Sequence, residues 1–232
     1  MLAVVQFPGS NDDRDMRFAC KTVLGADARL VFHKASELPP ETRGVAIPGG
    51  FSYGDYLRCG AMAQYSPIIA AIKRFAAAGG PVLGVCNGFQ VLCESGLLPG
   101  ALVRNHGLHF VCEFSHVRVE QAEAPFTSRV AKGDVLRIPI KHGEGCYHAE
   151  ARLLDEIERG GQIVLRYCEA DGQLTAAANP NGSVANVAAV RNAAGNVLGL
   201  MPHPEHAVEP SFGGTDGLGI LGSFVDAMQG ER

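Results

Sequence analysis

Short apolar runs alternate with helical segments along the first half of the chain. The runs lie at residues 2–7, 28–33, 44–48 and 81–85. They contain few polar positions, which is typical of strands buried on both faces of a parallel sheet. Between them, residues 12–24 and 65–78 repeat apolar positions with the period of a helix. The alternation predicts an α/β fold with a doubly wound, mainly parallel sheet flanked by helices.

The second half of the chain is richer in strand-like stretches than the first. These stretches lie at residues 110–119, 135–140, 163–167, 184–190 and 197–201. Residues 217–228 predict a closing helix. A chain of 232 residues is long enough for one large α/β core. We therefore expect a single domain over residues 1–232.

Composition and charge narrow the classes of function. The hydrophobic fraction of 47% suits a buried sheet, and no apolar run reaches membrane-spanning length. The chain opens on a short strand rather than a signal-like segment, and its 7 cysteines form no C-x-x-C pair. These features predict a soluble, cytoplasmic protein in a reducing compartment. A net charge of −4 without a basic run argues against a nucleic-acid partner.

Candidate chemistry begins at residues 84–88, which read GVCNG where an apolar run turns helical. This is the sulfur counterpart of the strand–nucleophile–helix elbow written G-x-S-x-G. Flanking glycines permit a sharp turn, and the helix N-terminus favours the thiolate of Cys86 over the thiol. A buried core cysteine is the alternative, and the pentapeptide alone leaves both interpretations open.

Far downstream, an apolar strand runs into His203 and Glu205. We expect Pro202 and Pro204 to force an extended backbone, in which residues two apart point the same way. Glu205 would then hold one imidazole nitrogen of His203 while the other nitrogen faces Cys86. That arrangement is the logic of a catalytic triad.

His206 completes a His-x-x-His pattern with His203, which raises the alternative of a metal site. The neighbouring prolines exclude the helix on which zinc proteases present such ligands. We therefore predict no metal here, and we expect His206 to point away from His203.

Residues 86–90 and 202–205 resemble the class I, or triad type, glutamine amidotransferases. Further motifs resemble the glutaminase subunits of phosphoribosylformylglycinamidine synthases, and they follow that family's order over nearly the whole chain. These motifs lie at residues 7–11, 48–58, 139–145 and 216–217. The resemblance implies a flavodoxin-like fold in which a cysteine takes the carboxamide of L-glutamine, forms a glutamyl thioester and releases ammonia.

The resemblance also implies partners. A large synthase subunit would use ATP and Mg²⁺ to convert formylglycinamide ribonucleotide to formylglycinamidine ribonucleotide in purine biosynthesis, with a small bridging subunit. This chain contains neither a G-x-x-x-x-G-K-[ST] phosphate loop nor a G-x-G-x-x-G fingerprint, so we expect no cofactor on it.

The resemblance places an oxyanion hole at Gly50 and at the backbone N–H of Asn87, with Gly49 beside the substrate. The glycine pair follows a strand at the same sheet edge as Cys86, where open α/β sheets bind their ligands. An ordinary tight turn is the alternative for any isolated glycine pair.

Gln90 lies one helical turn after Cys86 and on the same face. By resemblance it meets the substrate carboxamide; otherwise it is a polar residue on a helix. The loop of His142, Gly143 and Glu144 would surround the amino-acid end of glutamine, or be a surface turn.

Asp55 and Arg58 would contact the synthase subunit, or be solvated charges. The family usually has a basic residue where this chain has Glu113, a departure that affects a partner contact rather than the catalytic set.

Three other functions share parts of this pattern. A glutaminase subunit of another synthase, or a stand-alone hydrolase of γ-glutamyl substrates, would have the same triad. The loop at residues 50–56, GFSYGDY, argues against both. A non-catalytic binding or regulatory module on the same fold is the third, and the intact Cys86, His203 and Glu205 argue against it.

Overall fold

A nine-stranded sheet forms the centre of the computed structural model, which describes residues 1–123 and 125–230. The strands of this sheet and of a smaller one are β1 (Leu2–Gln6), β2 (Ala28–Phe32), β3 (Gly44–Ile47), β4 (Val82–Val85), β5 (Ala101–Val103), β6 (Val111–Val119), β7 (Val135–His142), β8 (Cys146–His148), β9 (Ile163–Cys168), β10 (Val187–Arg191) and β11 (Val197–Leu200). The helices are α1 (Asp13–Phe18), α2 (Pro67–Ala77), α3 (Asn87–Glu94), α4 (Ala151–Arg159) and α5 (Gly217–Gln229).

The strand order is β2-β1-β3-β4-β11-β10-β9-β6-β7. The five strands from β2 to β11 are parallel, and β10, β9, β6 and β7 extend the sheet in antiparallel fashion. Strands β5 and β8 form a separate antiparallel pair. The expected α/β class, with a parallel central sheet flanked by helices, is confirmed.

The parallel strands form the core. Every residue of β3, β4 and β11 is buried, as expected for strands covered on both faces. Helix α3 packs directly on β11, and the contact is so close that a side chain at Gly199 would collide with the ring of Phe89. Burial of Phe89 contributes about 1.5–3 kcal/mol. This contact holds the first turn of α3 against the sheet.

Helix α4 was not predicted from the sequence. Its apolar residues Leu153, Leu154 and Ile157 have helical spacing, but its strongly polar remainder hides the pattern. The helix predicted at 12–24 is divided into α1 and a π-helical turn, Ala19–Val23. Strand β10 starts at Val187 because Val184–Asn186 forms a 3₁₀ turn. Among the described residues no helix is long and apolar enough to cross a membrane.

Candidate active site

Cys86 lies on a sharp turn between β4 and α3. Its backbone angles, φ +50° and ψ −104°, are strained for a residue with a side chain. Any side chain at Gly88 would collide with the carbonyl oxygen of Ile47, and one at Gly84 would overlap Leu92. The turn therefore requires the two flanking glycines, as expected for a nucleophile elbow.

Parallel pairing of β4 with β11 brings His203, the expected base, to the elbow. Val85 pairs with Leu200, and the N–H of Cys86 donates to the carbonyl of Leu200 over 2.8 Å. His203 follows shortly after β11, and its own N–H donates to the carbonyl of Pro139 on β7 over 2.8 Å. Both strand ends meet at the carboxyl edge of the parallel sheet, where open α/β sheets form their crevices.

The imidazole of His203 and the carboxylate of Glu205 form a buried pair. Nδ1 lies 2.6 Å from Oε1, and each residue is 1% exposed. The backbone differs from the expected one, because Pro204–His206 is a 3₁₀ turn rather than an extended segment. Proline is tolerated at the first position of a helical turn, where its missing N–H is not needed. The predicted contact between His203 and Glu205 is nevertheless present.

The same turn overturns the expected direction of His206. Its N–H donates to the carbonyl of His203 over 3.1 Å, which brings the chain back on itself. The two imidazole rings pack edge to face with centroids 5.5 Å apart. An extended backbone would have pointed His206 away from His203.

The thiol of Cys86 and the ring of His203 are neighbours. Burial alone would lower the pKa of His203, but the charges of Glu205 and Cys86 outweigh it and raise that pKa. The thiol donates to the carbonyl of Lys141 over 3.6 Å. Nε2 of His203 is buried and has no well-aligned hydrogen-bond partner in the described part of the chain. It is therefore available to exchange a proton with the sulfur.

The two residues expected to form an oxyanion hole flank the elbow. Gly50 has φ +139°, and the following N–H, of Phe51, donates to the carbonyl of Gly9 over 2.8 Å. A side chain at Gly49 would collide with His203. Asn87 is the first residue of α3, a position whose N–H has no partner within the helix.

Most of the predicted site residues line one cavity of about 190 Å³. Its volume is below the range typical of drug-sized ligands, so it suits a small molecule. The predicted residues on its wall are Gly50, Cys86, Gln90, His142, Gly143, Glu144 and His203. Gly49, Asn87 and Glu205 are not on the wall, and Glu205 lies behind the imidazole.

One end of the cavity is acidic. Asp55 and Glu144 both line this end. Burial and the charge of Glu144 raise the pKa of Asp55, although a hydrogen bond from Cys59 acts to lower it. Gln90 donates to the backbone carbonyl of Glu144 over 2.6 Å. Arg58 is not on the cavity wall; its guanidinium donates two hydrogen bonds, of 2.6 Å and 2.7 Å, to the carboxylate of Glu94 on α3.

Sequence reasoning missed the two asparagines that hold the loop after β7. Asn105 donates to the carbonyl of His142 over 2.8 Å and accepts from the N–H of Gly145 over 2.9 Å. Asn181 donates to the carbonyl of Gly145 over 2.8 Å. Burial and the charge of His203 lower the pKa of His142 to about 4, so its ring is neutral at pH 7. Single asparagines in loops gave no signal in the sequence.

A second group that sequence reasoning missed surrounds the expected base, His203. Asp12, His203, Glu205 and His206 place possible metal-ligand atoms within 4.8 Å of one another. The ammonium of Lys141 lies 2.6 Å from Asp12, so a positive charge is already present at this cluster. The absence of a bound metal stays a prediction.

Comparison with known proteins agrees with this geometry. Residues 1–213 match the family model of the CobB/CobQ-like glutamine amidotransferase domain. The chain is 56% identical over 223 residues to the phosphoribosylformylglycinamidine synthase subunit PurQ of Thermomicrobium roseum, covering 96% of this chain and 94% of that protein. It is 52% identical to the PurQ subunit of Gloeobacter violaceus, covering 96% of each.

Among solved structures, it resembles a chain of PurLQS from Thermotoga maritima with a TM-score of 0.86 and 40% identity, covering 97% of both. Full-length similarity at this level, on a fold that brings a cysteine, a histidine and a glutamate together, identifies the family. The chain belongs to the PurQ family of glutamine amidotransferases.

Proposed function

We propose that this chain is the glutaminase subunit of a phosphoribosylformylglycinamidine synthase, with Cys86 as nucleophile, His203 as base and Glu205 as the carboxylate that orients the base. The observation that carries the proposal is the strained elbow at Cys86, facing a buried His203–Glu205 pair on the adjacent strand end. Nucleophile, base and orienting group in that geometry are the parts needed for acyl transfer. The match to a glutamine amidotransferase domain supports L-glutamine as the substrate.

The chemistry starts when the imidazole of His203 takes the proton of the Cys86 thiol and the sulfur attacks the side-chain carboxamide carbon of glutamine. The new C–S bond leaves a negative oxygen, which accepts hydrogen bonds from the N–H groups of Gly50 and Asn87. The His203 imidazolium gives its proton to the nitrogen, the C–N bond breaks and ammonia leaves. Water, deprotonated by the imidazole, then cleaves the thioester to glutamate and restores the thiol.

The rest of the cavity suits the amino-acid end of glutamine. The acidic end formed by Asp55 and Glu144 complements an α-ammonium group, while Gln90 and the loop of His142 and Gly143 close the wall. Hydrogen bonds from Asn105 and Asn181 make that loop rigid. A preformed site of this kind orients the carboxamide toward the sulfur.

The proposal includes partners and location. A large cytoplasmic synthase subunit would receive the ammonia and use ATP and Mg²⁺, with a small bridging subunit, while residues 1–232 act as one glutamine amidotransferase domain without a cofactor. Similarity to a chain of PurLQS supports the assembly. The span of the family model, residues 1–213, supports the single domain.

Glutamine hydrolysis by the chain alone and with the synthase subunit tests the function. Formation of formylglycinamidine ribonucleotide from glutamine by the pair, abolished by Cys86→Ala, is the expected result. Glutamine hydrolysis that persists without any transfer of ammonia to this synthase would instead favour a stand-alone hydrolase.

A further inference from the structure

An ion pair between the buried Asp12 and the partly exposed Lys141 lies beside the proposed base, on the wall of the same cavity, and takes no part in the chemistry described above. Asp12 precedes α1 and is 3% exposed, and its Oδ1 lies 2.6 Å from Nζ of Lys141 on β7. Its other oxygen, Oδ2, lies 3.6 Å from Nδ1 of His203. His203 therefore faces a second carboxylate besides Glu205, on the same ring nitrogen.

Both members of the ion pair are charged at neutral pH. Burial would raise the pKa of Asp12, but contacts with His206, His203 and Lys141 hold it well below its usual range. Burial would lower the pKa of Lys141, but the adjacent carboxylate of Asp12 raises it, with smaller contributions from Glu205 and Cys86. The pair thus places one negative and one positive charge beside the triad.

We propose that Asp12 and Lys141 are positioning residues of the catalytic base: the carboxylate of Asp12 helps Glu205 to hold the His203 imidazole at Nδ1, and the ammonium of Lys141 limits how strongly the Asp12 carboxylate stabilises the imidazolium. This inference rests on the proposed function, because it takes His203 as the base. The backbone carbonyl of Lys141 also accepts a hydrogen bond from the Cys86 thiol over 3.6 Å. Lys141 therefore contacts both the sulfur and the carboxylate of Asp12.

Two charges of opposite sign make the role testable. The titratable and charged groups around His203 are Asp12, Cys86, Lys141, His142, Glu205 and His206. Removing the negative charge of Asp12 disfavours the imidazolium, whereas removing the positive charge of Lys141 favours it. Ion pairs of this separation move a pKa by about one unit or more. A purely structural pair would not shift the base in opposite directions.

The experiment compares Asp12→Asn, Lys141→Met and the double variant with wild type. NMR titration of the full chain carrying ¹³C-labelled histidine follows His203, assigned by the signal lost in His203→Gln. We expect the midpoint of His203 to fall by about one pH unit in Asp12→Asn, to rise in Lys141→Met and to return toward wild type in the double variant. The alkaline limb of kcat/KM for glutamine should move in the same directions.

Asp13→Asn and Lys132→Met are the matched controls. Asp13 is buried next to Asp12 but accepts a hydrogen bond from Gln6, and Lys132 is exposed. Neither control should move the midpoint. Asp12→Ser replaces Asp12→Asn if that variant does not fold, and Lys141→Arg, which conserves the charge, should leave the midpoint in place.

Shifts in the same direction in both single variants, or none in either, would overturn the proposal. The NMR titration needs no turnover, so it decides the role of the ion pair even if the chain proves not to be a glutaminase. Failure of the proposed function would appear separately, as no Cys86-dependent formation of formylglycinamidine ribonucleotide from glutamine by the chain with its synthase subunit.

Discussion

The backbone N–H of Cys86 donates to the carbonyl of Leu200 over 2.8 Å, which joins the end of the strand before the proposed nucleophile to the strand that leads to His203. The two residues are far apart in the sequence, and the parallel register of β4 and β11 alone brings them together. The sheet therefore fixes the position of Cys86 and the start of the segment that carries His203 and Glu205, the other two members of the proposed triad. Substitutions in the triad should affect chemistry without unfolding the chain.

Replacing Cys86 by alanine should lower the rate of glutamine-dependent synthesis by the complex at least about a thousandfold, because the thioester cannot form. Ammonia-dependent synthesis should survive, since that reaction does not use this cavity. Both rates are measured on the reconstituted complex. A glutamine-dependent rate within a few-fold of wild type would refute the assignment of the nucleophile.

Labelling gives a second, independent test of Cys86. Burial raises the pKa of several other cysteines, including Cys20, to about 12, and Cys168, to about 11. An electrophilic glutamine analogue should therefore modify Cys86 first, with the exposed Cys112 as the competitor. Mass spectrometry of wild type and Cys112→Ser should give the same labelled site. Even labelling of several cysteines would argue against an activated thiolate.

Replacing His203 by alanine should cost about as much activity as losing the nucleophile, because members of a triad act as a unit. Glu205→Gln should cost less, since it only weakens the orientation of the ring. His206→Ala should be the mildest of the three, because His206 contacts the ring of His203 edge-on and otherwise acts only through the carboxylates of Asp12 and Glu205. Steady-state kinetics on the complex measure all three, and a damaging His206→Ala with a mild His203→Ala would reverse the assignment.

Asn105→Ala should raise KM for glutamine at least tenfold with a smaller effect on kcat. The substitution removes the hydrogen bonds that hold His142 and Gly145, and leaving buried groups unpaired costs roughly 3 kcal/mol of stability. Asn196→Ala is the matched control, since this residue also holds two carbonyls, of Ala76 and Gly80, away from the cavity. It should lose similar stability in urea unfolding and keep its KM.

Lowering the pH should destabilise the chain through His142. Its pKa is about 4 in the folded state, below the ordinary value of 6.5, so the unfolded chain binds more protons between these values. Stability from this residue is complete above pH 6.5 and is lost as the pH falls toward 4. Between pH 7.5 and pH 5 the loss should be roughly 2 kcal/mol.

Urea unfolding of wild type and His142→Gln at the two pH values isolates this contribution. His203, whose pKa is raised, acts in the opposite sense at alkaline pH and cancels in the comparison. The exposed His148→Gln should behave like wild type. Equal pH dependence in wild type and His142→Gln would contradict the prediction.

Strand positions and the elbow were predictable because they depend on local pattern. The runs at 2–7 and 81–85 match β1 and β4 within a residue, and the glycines around Cys86 mark the turn. The ion pair of Asp12 and Lys141 was not predictable, because it joins residues that only the assembled sheet brings together. The prediction of an extended backbone at residues 204–206 was wrong for a local reason, because proline fits the start of a helical turn as well as an extended chain.

The segment after Gly50 should couple glutamine hydrolysis to the synthase. Tyr53, Asp55 and Leu57 all have positive φ, at 54°, 55° and 72°, and backbone strain of this kind costs about 1–3 kcal/mol per residue. Leu57 is 85% exposed, so the strained segment presents an apolar side chain. Covering it with a partner can release strain and move the backbone.

Such movement would reach the proposed oxyanion hole directly. The side-chain oxygen of Asn87 accepts a hydrogen bond from the N–H of Ser52 over 3.2 Å, and Gly50 directly precedes the segment. We therefore predict that the isolated chain hydrolyses glutamine at least tenfold more slowly than the complex does. Steady-state turnover of both measures this, and equal values would reject the coupling.

Leu57→Ser separates coupling from simple catalysis. It should leave the slow turnover of the isolated chain unchanged while reducing the acceleration by the synthase, because Leu57 lies outside the cavity wall. Leu30→Ser is the control: Leu30 is 36% exposed on β2, the edge strand of the sheet. A loss of acceleration in Leu30→Ser equal to that in Leu57→Ser would mean that any exposed apolar residue matters, and would remove the segment after Gly50 as the coupling element.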